Sequence, residues 1–139
     1  KDENNDLRYL TIPANINIGN DVLQFIAAKS KVLPKDFSFF INRENVLLVD
    51  LRETKEIEQN PLINSAIHIE YSQLEKCLTD GESQLSKAIE NQNIIIFYCS
   101  YGERSTLAVK TMIKHEHKNC IHLQGGIVAW NEFKDDSAA

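Results

Sequence analysis

Residues 94–105 read Ile-Ile-Ile-Phe-Tyr-Cys-Ser-Tyr-Gly-Glu-Arg-Ser, an apolar run that leads into a cysteine and a short polar loop. A continuous apolar run of this length is typical of a strand that is buried on both faces of a parallel sheet. Beyond the loop, apolar residues return at helical spacing between Ala108 and Ile113, which predicts a helix with one buried stripe. The pattern therefore places Cys99 where a strand ends, just before a helix N-terminus.

The loop after Cys99 has the composition of an anion-binding turn. Gly102 permits backbone conformations that other residues resist, and successive amides in a tight turn form a nest for an anion. A thiol that faces such amides and the positive end of a helix dipole ionises more readily, and the thiolate is the reactive form. Arg104 can hydrogen-bond to loop carbonyls or bind an anion through two N–H groups. The alternative is an inert cysteine that closes a buried strand.

Three motifs carry a resemblance to a known family. Residues 99–105 resemble the active-site loop Cys-x-x-Gly-x-Arg-Ser of the rhodanese-like sulfurtransferases. Residues 49–53, Val-Asp-Leu-Arg-Glu, are similar to the family's Asp-x-Arg segment, and residues 123–130, Leu-Gln-Gly-Gly-Ile-Val-Ala-Trp, to its C-terminal Leu-x-Gly-Gly-x-x-x-Trp. The three stand in the family's order and at family-like distances, so that the resemblance covers roughly residues 7–133.

The resemblance implies a three-layer α/β/α domain around a central, mainly parallel five-stranded sheet. It also implies a sulfurtransferase in which Cys99 is the catalytic nucleophile and carries sulfur as a persulfide, with no metal or organic cofactor. The expected partners are a small sulfur donor, such as thiosulfate or a persulfide, and a thiol, cyanide or protein-cysteine acceptor. The loop that would hold the charged terminal sulfur in a shallow bowl consists of Ser100, Tyr101, Gly102, Glu103, Arg104 and Ser105.

Two other functions stay open. Rhodanese-like domains also serve as non-enzymatic interaction or regulatory modules, usually where the loop cysteine is lost. Cysteine-dependent phosphatases use a loop with five residues between cysteine and arginine, whereas four residues separate Cys99 from Arg104 here. The shorter loop fits a single sulfur better than a tetrahedral phosphate. We also expect the acidic Glu103 to disfavour a small dianion such as thiosulfate.

Asp50 and Arg52 follow the predicted strand Val46–Val49 at its carboxyl end, the edge where open α/β sheets place their sites. They could contact substrate and support the loop. The alternative, which we favour, is a salt-bridged start of a helix over residues 53–58, capped by Asp50 or Thr54.

The length of 139 residues predicts one domain. We expect a polar tail at residues 1–6, the domain at 7–133 and a C-terminal tail at 134–139. A first strand is predicted at Tyr9–Ile12 and a helix beginning at Asn20 or Asp21. The segment 31–45 has no clear assignment, and its aromatic residues are expected to be peripheral core or, alternatively, a docking surface for a partner: Phe37, Phe39 and Phe40.

Further elements alternate between strand and helix, which favours right-handed crossovers and a parallel sheet. A short strand is predicted at Ala66–Ile69, helices at Tyr71–Leu78 and Glu82–Glu90, and a final strand just after Cys120. Trp130, on the last helix, is expected in the core.

The net charge of −5 argues against a general nucleic-acid or anionic-membrane surface.

The three cysteines show neither CxxC nor a paired His spacing, which argues against a disulfide framework and structural zinc. We expect a reducing compartment such as the cytoplasm. Cys77 and Cys120 are expected to pack in the core, the alternative for Cys77 being a resolving thiol for Cys99. His115 and His117 should point to different helix faces and bind no metal.

Overall fold

The computed structural model describes residues 30–138. Within them the chain forms a sheet of five strands in the order β1-β5-β4-β2-β3, and every neighbouring pair is parallel. The strands are β1 (Lys31–Val32), β2 (Val46–Asp50), β3 (Ile67–His68), β4 (Ile94–Tyr98) and β5 (Cys120–Leu123). The tail at 1–6, the strand at Tyr9–Ile12 and the helix after Asn20 lie outside the described residues.

Helices connect the strands. They are α1 (Pro34–Phe37), α2 (Thr54–Gln59), α3 (Leu74–Thr79), α4 (Gln84–Glu90), α5 (Glu103–Lys114) and α6 (Gly126–Ala138), with a 3₁₀ turn at Tyr71–Gln73 before α3.

Side chains of the central strand β4 enter two separate cores in alternation, as the two-residue period of a strand requires. Ile95 and Phe97 pack with residues of α3, α4 and α5 on one face of the sheet, here called the α5 face. Ile96 and Tyr98 pack with residues of α1 and α6 on the other, the α6 face. The predicted three-layer α/β/α arrangement around a five-stranded parallel sheet is confirmed.

Several predicted boundaries differ from the structure. Asp50 is the last residue of β2 and not the first beyond it, because it continues the ladder opposite Tyr98. The N-cap of α2 is Glu53, not Asp50 or Thr54. Glu53 and Glu56 form a capping box, in which the carboxylate of each residue accepts a hydrogen bond from the backbone N–H of the other. The predicted helix Tyr71–Leu78 begins as the 3₁₀ turn, and α4 begins two residues later than predicted, behind the Ser83 cap.

The unassigned segment contributes an edge strand and a short helix. β1 pairs with β5, and the Phe37 ring meets Trp130 edge-on at a centroid distance of 4.9 Å. Phe37 is fully buried and Phe40 partly buried, so that both belong to the core of the α6 face. Phe39 differs from the prediction, since 64% of it is exposed.

Two expectations near the chain's later helices are wrong. α6 continues to Ala138, so residues 134–138 extend the helix instead of forming a tail. α5 ends at Lys114, which lets the rings of His115 and His117 stack at a centroid distance of 6.5 Å instead of facing apart. In residues 30–138, no group of three or more His, Cys, Asp or Glu side chains could hold a metal ion. The same part of the chain has no helix whose length and apolar character would let it cross a membrane.

Candidate active site

The segment from Cys99 to Gly102 connects β4 to α5 at the carboxyl edge of the sheet. β4 ends at Tyr98, whose carbonyl accepts the Leu51 N–H at 2.9 Å, and α5 begins at Glu103. Gly102 is the N-cap of α5 and has a φ of +118°, a left-handed conformation that favours glycine. The sequence therefore placed Cys99 correctly between strand and helix.

The sulfur of Cys99 lies beneath this loop. Its Sγ accepts the Gly102 N–H at 3.1 Å and lies 3.8 Å from the Ser105 hydroxyl oxygen. Cys99 is 0% exposed and belongs to the core of the α5 face. The expected shallow bowl is therefore closed above the thiol in this conformation.

The N-terminus of α5 supplies further donors beside the sulfur. The amides of the first helical residues, from Glu103 to Ser105, have no acceptor within the helix because of helix geometry. They also carry the positive end of the helix dipole, which favours a negative charge. Glu103 and Tyr101 project to solvent, with Tyr101 65% exposed. The loop thus turns the Gly102 N–H inward to the sulfur and these two side chains outward.

Glu56 of α2 binds the loop from outside. Its two carboxylate oxygens accept one N–H group each from the Arg104 guanidinium, both at 2.8 Å. The Ser100 hydroxyl donates to the same carboxylate at 2.7 Å. The Arg104 hydrogen bonds, against the opposing effect of burial, lower the pKa of Glu56 to about 2 and raise that of Arg104. Sequence reasoning missed Glu56, because its position three residues after Glu53 signals a capping box but not a contact with the loop.

Asp50 and Arg52 form a buried ion pair. Arg52 Nη2 donates to Asp50 Oδ2 at 2.7 Å and Nε lies 3.0 Å from both carboxylate oxygens. The side chains are 0% and 1% exposed. Arg52 Nη1 also donates to the Glu56 carbonyl at 3.4 Å. The pair therefore ties β2 to α2, as in the salt-bridged helix start that we favoured.

The first residues of α6 support the loop from behind. The Ile127 N–H donates to the Cys99 carbonyl at 2.9 Å and the Val128 N–H to the Ser100 carbonyl at 3.2 Å. A Cβ on Gly126, which has a φ of +67°, would lie 2.3 Å from the Ser100 oxygen. Gly126 is therefore needed for the close approach of α6 to the loop.

A buried histidine lies behind Ser105. His122 of β5 has Nδ1 3.3 Å from Ser105 Oγ and Nε2 3.4 Å from Thr106 Oγ1. Both hydroxyls donate to the Gly102 carbonyl, at 3.1 Å from Ser105 and 2.8 Å from Thr106. Burial, followed by the charge of Lys31, lowers the pKa of His122 to about 4. Sequence reasoning did not single out His122, because no local motif marks it.

The other two cysteines lie away from this loop. Cys77 is half-buried against the core of the α5 face, as predicted, and Cys120 is buried. Burial raises the pKa of the Cys120 thiol to about 12, so that it stays protonated near neutral pH.

Comparison with known proteins gives a consistent result. Residues 33–133 match the family model described as "Rhodanese-like domain". The chain is 31% identical over 116 residues to the "Probable adenylyltransferase/sulfurtransferase MoeZ" of Mycobacterium tuberculosis. The aligned region covers 81% of this chain but only 27% of that protein. The chain thus spans about a quarter of that relative's length.

Two further similarities extend over more of the other protein. The chain is 30% identical to a "Sulfurtransferase" of Allochromatium vinosum, over 63% of this chain and 73% of the relative. It is 28% identical to the solved structure of RPA3614 from Rhodopseudomonas palustris, described as a protein of unknown function and "Possible Tyrosine Phosphatase". That superposition has a TM-score of 0.69 and covers 89% of this chain and 97% of the other.

Proposed function

Since the chain belongs to the rhodanese-like domain family, we propose that it is a sulfurtransferase in which Cys99 carries the transferable sulfur as a persulfide. The observation that carries the proposal is the position of Sγ, which accepts the Gly102 N–H at 3.1 Å directly before the N-terminus of α5. The sulfurtransferase names of the relatives from M. tuberculosis and A. vinosum support the same class of reaction.

The reaction has two displacement steps. The Cys99 thiol first loses its proton, and the thiolate attacks the outer sulfur of a donor such as thiosulfate. The new S–S bond forms as the donor's S–S bond breaks, and sulfite leaves with the electron pair. An acceptor such as cyanide or a thiolate then attacks the terminal sulfur and releases the Cys99 thiolate. This is nucleophilic covalent catalysis and needs no outside oxidant or reductant.

The loop residues have separate roles in this proposal. Main-chain amides from Ser100 to Ser105 stabilise the negative terminal sulfur, as preorganised donors do in other sites where charge develops. Arg104 holds the loop in place through its ion pair with Glu56. Asp50 and Arg52 support the loop indirectly, by fixing the start of α2.

Steady-state sulfur transfer tests the proposal. We expect thiocyanate formation from thiosulfate or a persulfide donor and cyanide, lost in Cys99→Ser and retained in the control Cys77→Ser. Thiol acceptors should give the same dependence on Cys99. Undiminished turnover in Cys99→Ser would contradict the proposal.

The charge around the loop favours a donor with less negative charge than thiosulfate. The positive charge of Arg104 is already paired with Glu56, and Glu103 is an exposed carboxylate at the start of α5. An exposed carboxylate at about 6 Å from a small dianion costs about 1 kcal/mol at the dielectric of bulk water, roughly fivefold in rate. We therefore propose a thiol persulfide or a protein persulfide as the better donor.

The substitution Glu103→Gln tests this preference. It should raise kcat/KM for thiosulfate about fivefold and affect a persulfide donor of lower negative charge less. Glu90→Gln is the matched control, because Glu90 is exposed at the end of α4, at the opposite edge of the sheet. Unchanged thiosulfate kinetics in Glu103→Gln would refute the electrostatic preference.

Two alternatives have specific support. The similarity to RPA3614 keeps a phosphatase open, but the four-residue spacing between Cys99 and Arg104 disfavours it. Sustained release of phosphate from an aryl phosphate would favour this alternative.

The complete burial of Cys99 supports a non-enzymatic interaction module. The absence of a sulfur adduct with every donor would favour the module.

A further inference from the structure

His122 contacts the loop but has no part in the reaction described above. Its register partner Phe97 belongs to the core of the α5 face, so the His122 ring lies under the first turn of α5. His122 is 5% exposed, and its ring lies between the hydroxyl groups of Ser105 and Thr106. Because Ser105 also lies 3.8 Å from Cys99 Sγ, hydrogen bonds can connect the imidazole to the reactive sulfur.

The hydroxyl groups of Ser105 and Thr106 determine the arrangement of protons when Cys99 is a thiol. Both donate their protons to the Gly102 carbonyl, at 3.1 Å and 2.8 Å, so both oxygens are left to accept. The Nδ1 atom of His122 lies 3.3 Å from the Ser105 oxygen, carries the ring proton and donates it to that oxygen. The Ser105 oxygen also accepts the Cys99 S–H.

When Cys99 loses its proton to solvent, the sulfur becomes a hydrogen-bond acceptor. The Ser105 hydroxyl then turns its proton from the Gly102 carbonyl to Sγ, and Thr106 still donates to that carbonyl. His122 Nδ1–H continues to donate to the Ser105 oxygen and holds the hydroxyl in the orientation that points its proton at Sγ. The imidazole stays neutral in both arrangements, in agreement with its buried position.

We propose that His122 is a positioning residue for the sulfur chemistry at Cys99, which acts through the Ser105 hydroxyl by donating its Nδ1–H to the hydroxyl oxygen. This role serves the chemistry of the proposed sulfurtransferase, and the inference therefore rests on the proposed function. The effect of His122 on the ionisation of the Cys99 thiol can nevertheless be measured without any sulfur transfer. Of the groups that face the ring, Lys31 of β1 is charged, whereas α5 presents two neutral hydroxyls and β4 presents Phe97.

The test is the pH profile of iodoacetamide alkylation at Cys99, followed peptide by peptide by mass spectrometry. In His122→Leu the midpoint of the profile should move upward by about one pH unit, with a roughly tenfold slower reaction near neutral pH. His122→Asn keeps a group that can donate or accept near Nδ1 and should restore most of the rate. The alkylation rate of Cys77 in the same sample controls for the reactivity of iodoacetamide at each pH. The variant His115→Leu controls for the loss of a histidine elsewhere in the protein.

A second arm tests whether the effect passes through Ser105. In a Ser105→Ala background, His122→Leu should produce no further shift, because the two substitutions interrupt the same connection. An unchanged midpoint in folded His122→Leu, equal shifts in the Leu and Asn variants, or additive shifts in the double variant would each overturn the proposal. If His122→Leu does not fold, His122→Phe takes its place. If the alkylation midpoint shifts as predicted in His122→Leu but the wild-type protein never acquires sulfur, the result would support the role of His122 and refute the proposed sulfurtransferase.

Discussion

At the scale of single residues, the site depends on how a few polar groups share their hydrogen bonds. Glu56 is the clearest case, since one carboxylate binds Arg104, Ser100 and the Glu53 amide. The sequence predicted Cys99 and its loop from a local pattern. It could not predict Glu56 or His122 as partners of the loop, because each comes from a distant part of the chain and only the fold brings it near.

Glu56→Gln should lower the free energy of unfolding by about 2 kcal/mol near neutral pH, since charged hydrogen bonds of this kind are worth about 1.5–3 kcal/mol. The pKa of Glu56 is lowered from 4.5 to about 2 in the folded protein. Its stabilisation is therefore present above pH 4.5 and is lost as the pH falls toward 2. The difference between the wild type and Glu56→Gln should shrink over this acid range.

Urea unfolding at several pH values measures this difference. Glu58→Gln is the matched control, because Glu58 is exposed on the same helix, and it should change stability by less than about 0.5 kcal/mol. A pH-independent difference between the wild type and Glu56→Gln would contradict the role of the carboxylate charge.

At the scale of elements, β4 and α5 were predictable because their hydrophobic periods are unambiguous. The short edge strand β1 was not, since its two residues carry no period of their own and form a strand only beside β5. The start of α2 was misassigned for a related reason. Several polar residues could cap it, and the pairing of Asp50 with Arg52 removes one of the candidates.

Gly126→Ala should disturb the contact between α6 and the loop. Its Cβ would lie 2.3 Å from the Ser100 oxygen, in a backbone conformation that alanine adopts with strain. We expect a loss of about 2 kcal/mol or more in unfolding free energy, together with a marked loss of sulfur transfer. Gly81→Ala is the control, because a Cβ there meets nothing within 4 Å. Thermal unfolding and the thiocyanate assay measure both effects, and equal behaviour of the two variants would contradict the close approach.

At the scale of the whole molecule, the parallel sheet separates two cores and brings the ends of β2, β4 and β5 to one edge. The resemblance of three motifs was enough to predict this architecture. It could not predict that the thiol is covered, because exposure depends on how closely the loop packs against both α5 and α6. It also could not predict the continuation of α6 to Ala138, since the polar residues there allow both helix and tail.

The buried pair of Asp50 and Arg52 should matter for the stability of the whole domain. Arg52→Met leaves the Asp50 carboxylate buried without its partner, which typically costs about 3–5 kcal/mol. Lys87→Met removes an exposed pair with Glu82 at 3.5 Å and should cost less than about 1 kcal/mol. Chemical denaturation measures both, and a loss below about 1 kcal/mol in Arg52→Met would contradict a structural role of the buried pair.

The most direct test of the central claim is the mass of the Cys99 peptide after incubation with thiosulfate or a persulfide donor. The account predicts the gain of one sulfur atom on that peptide, its removal by cyanide or a small thiol, and its absence in Cys99→Ser. An adduct that forms only on Cys77, or no adduct with any donor, would contradict the claim that Cys99 carries the sulfur.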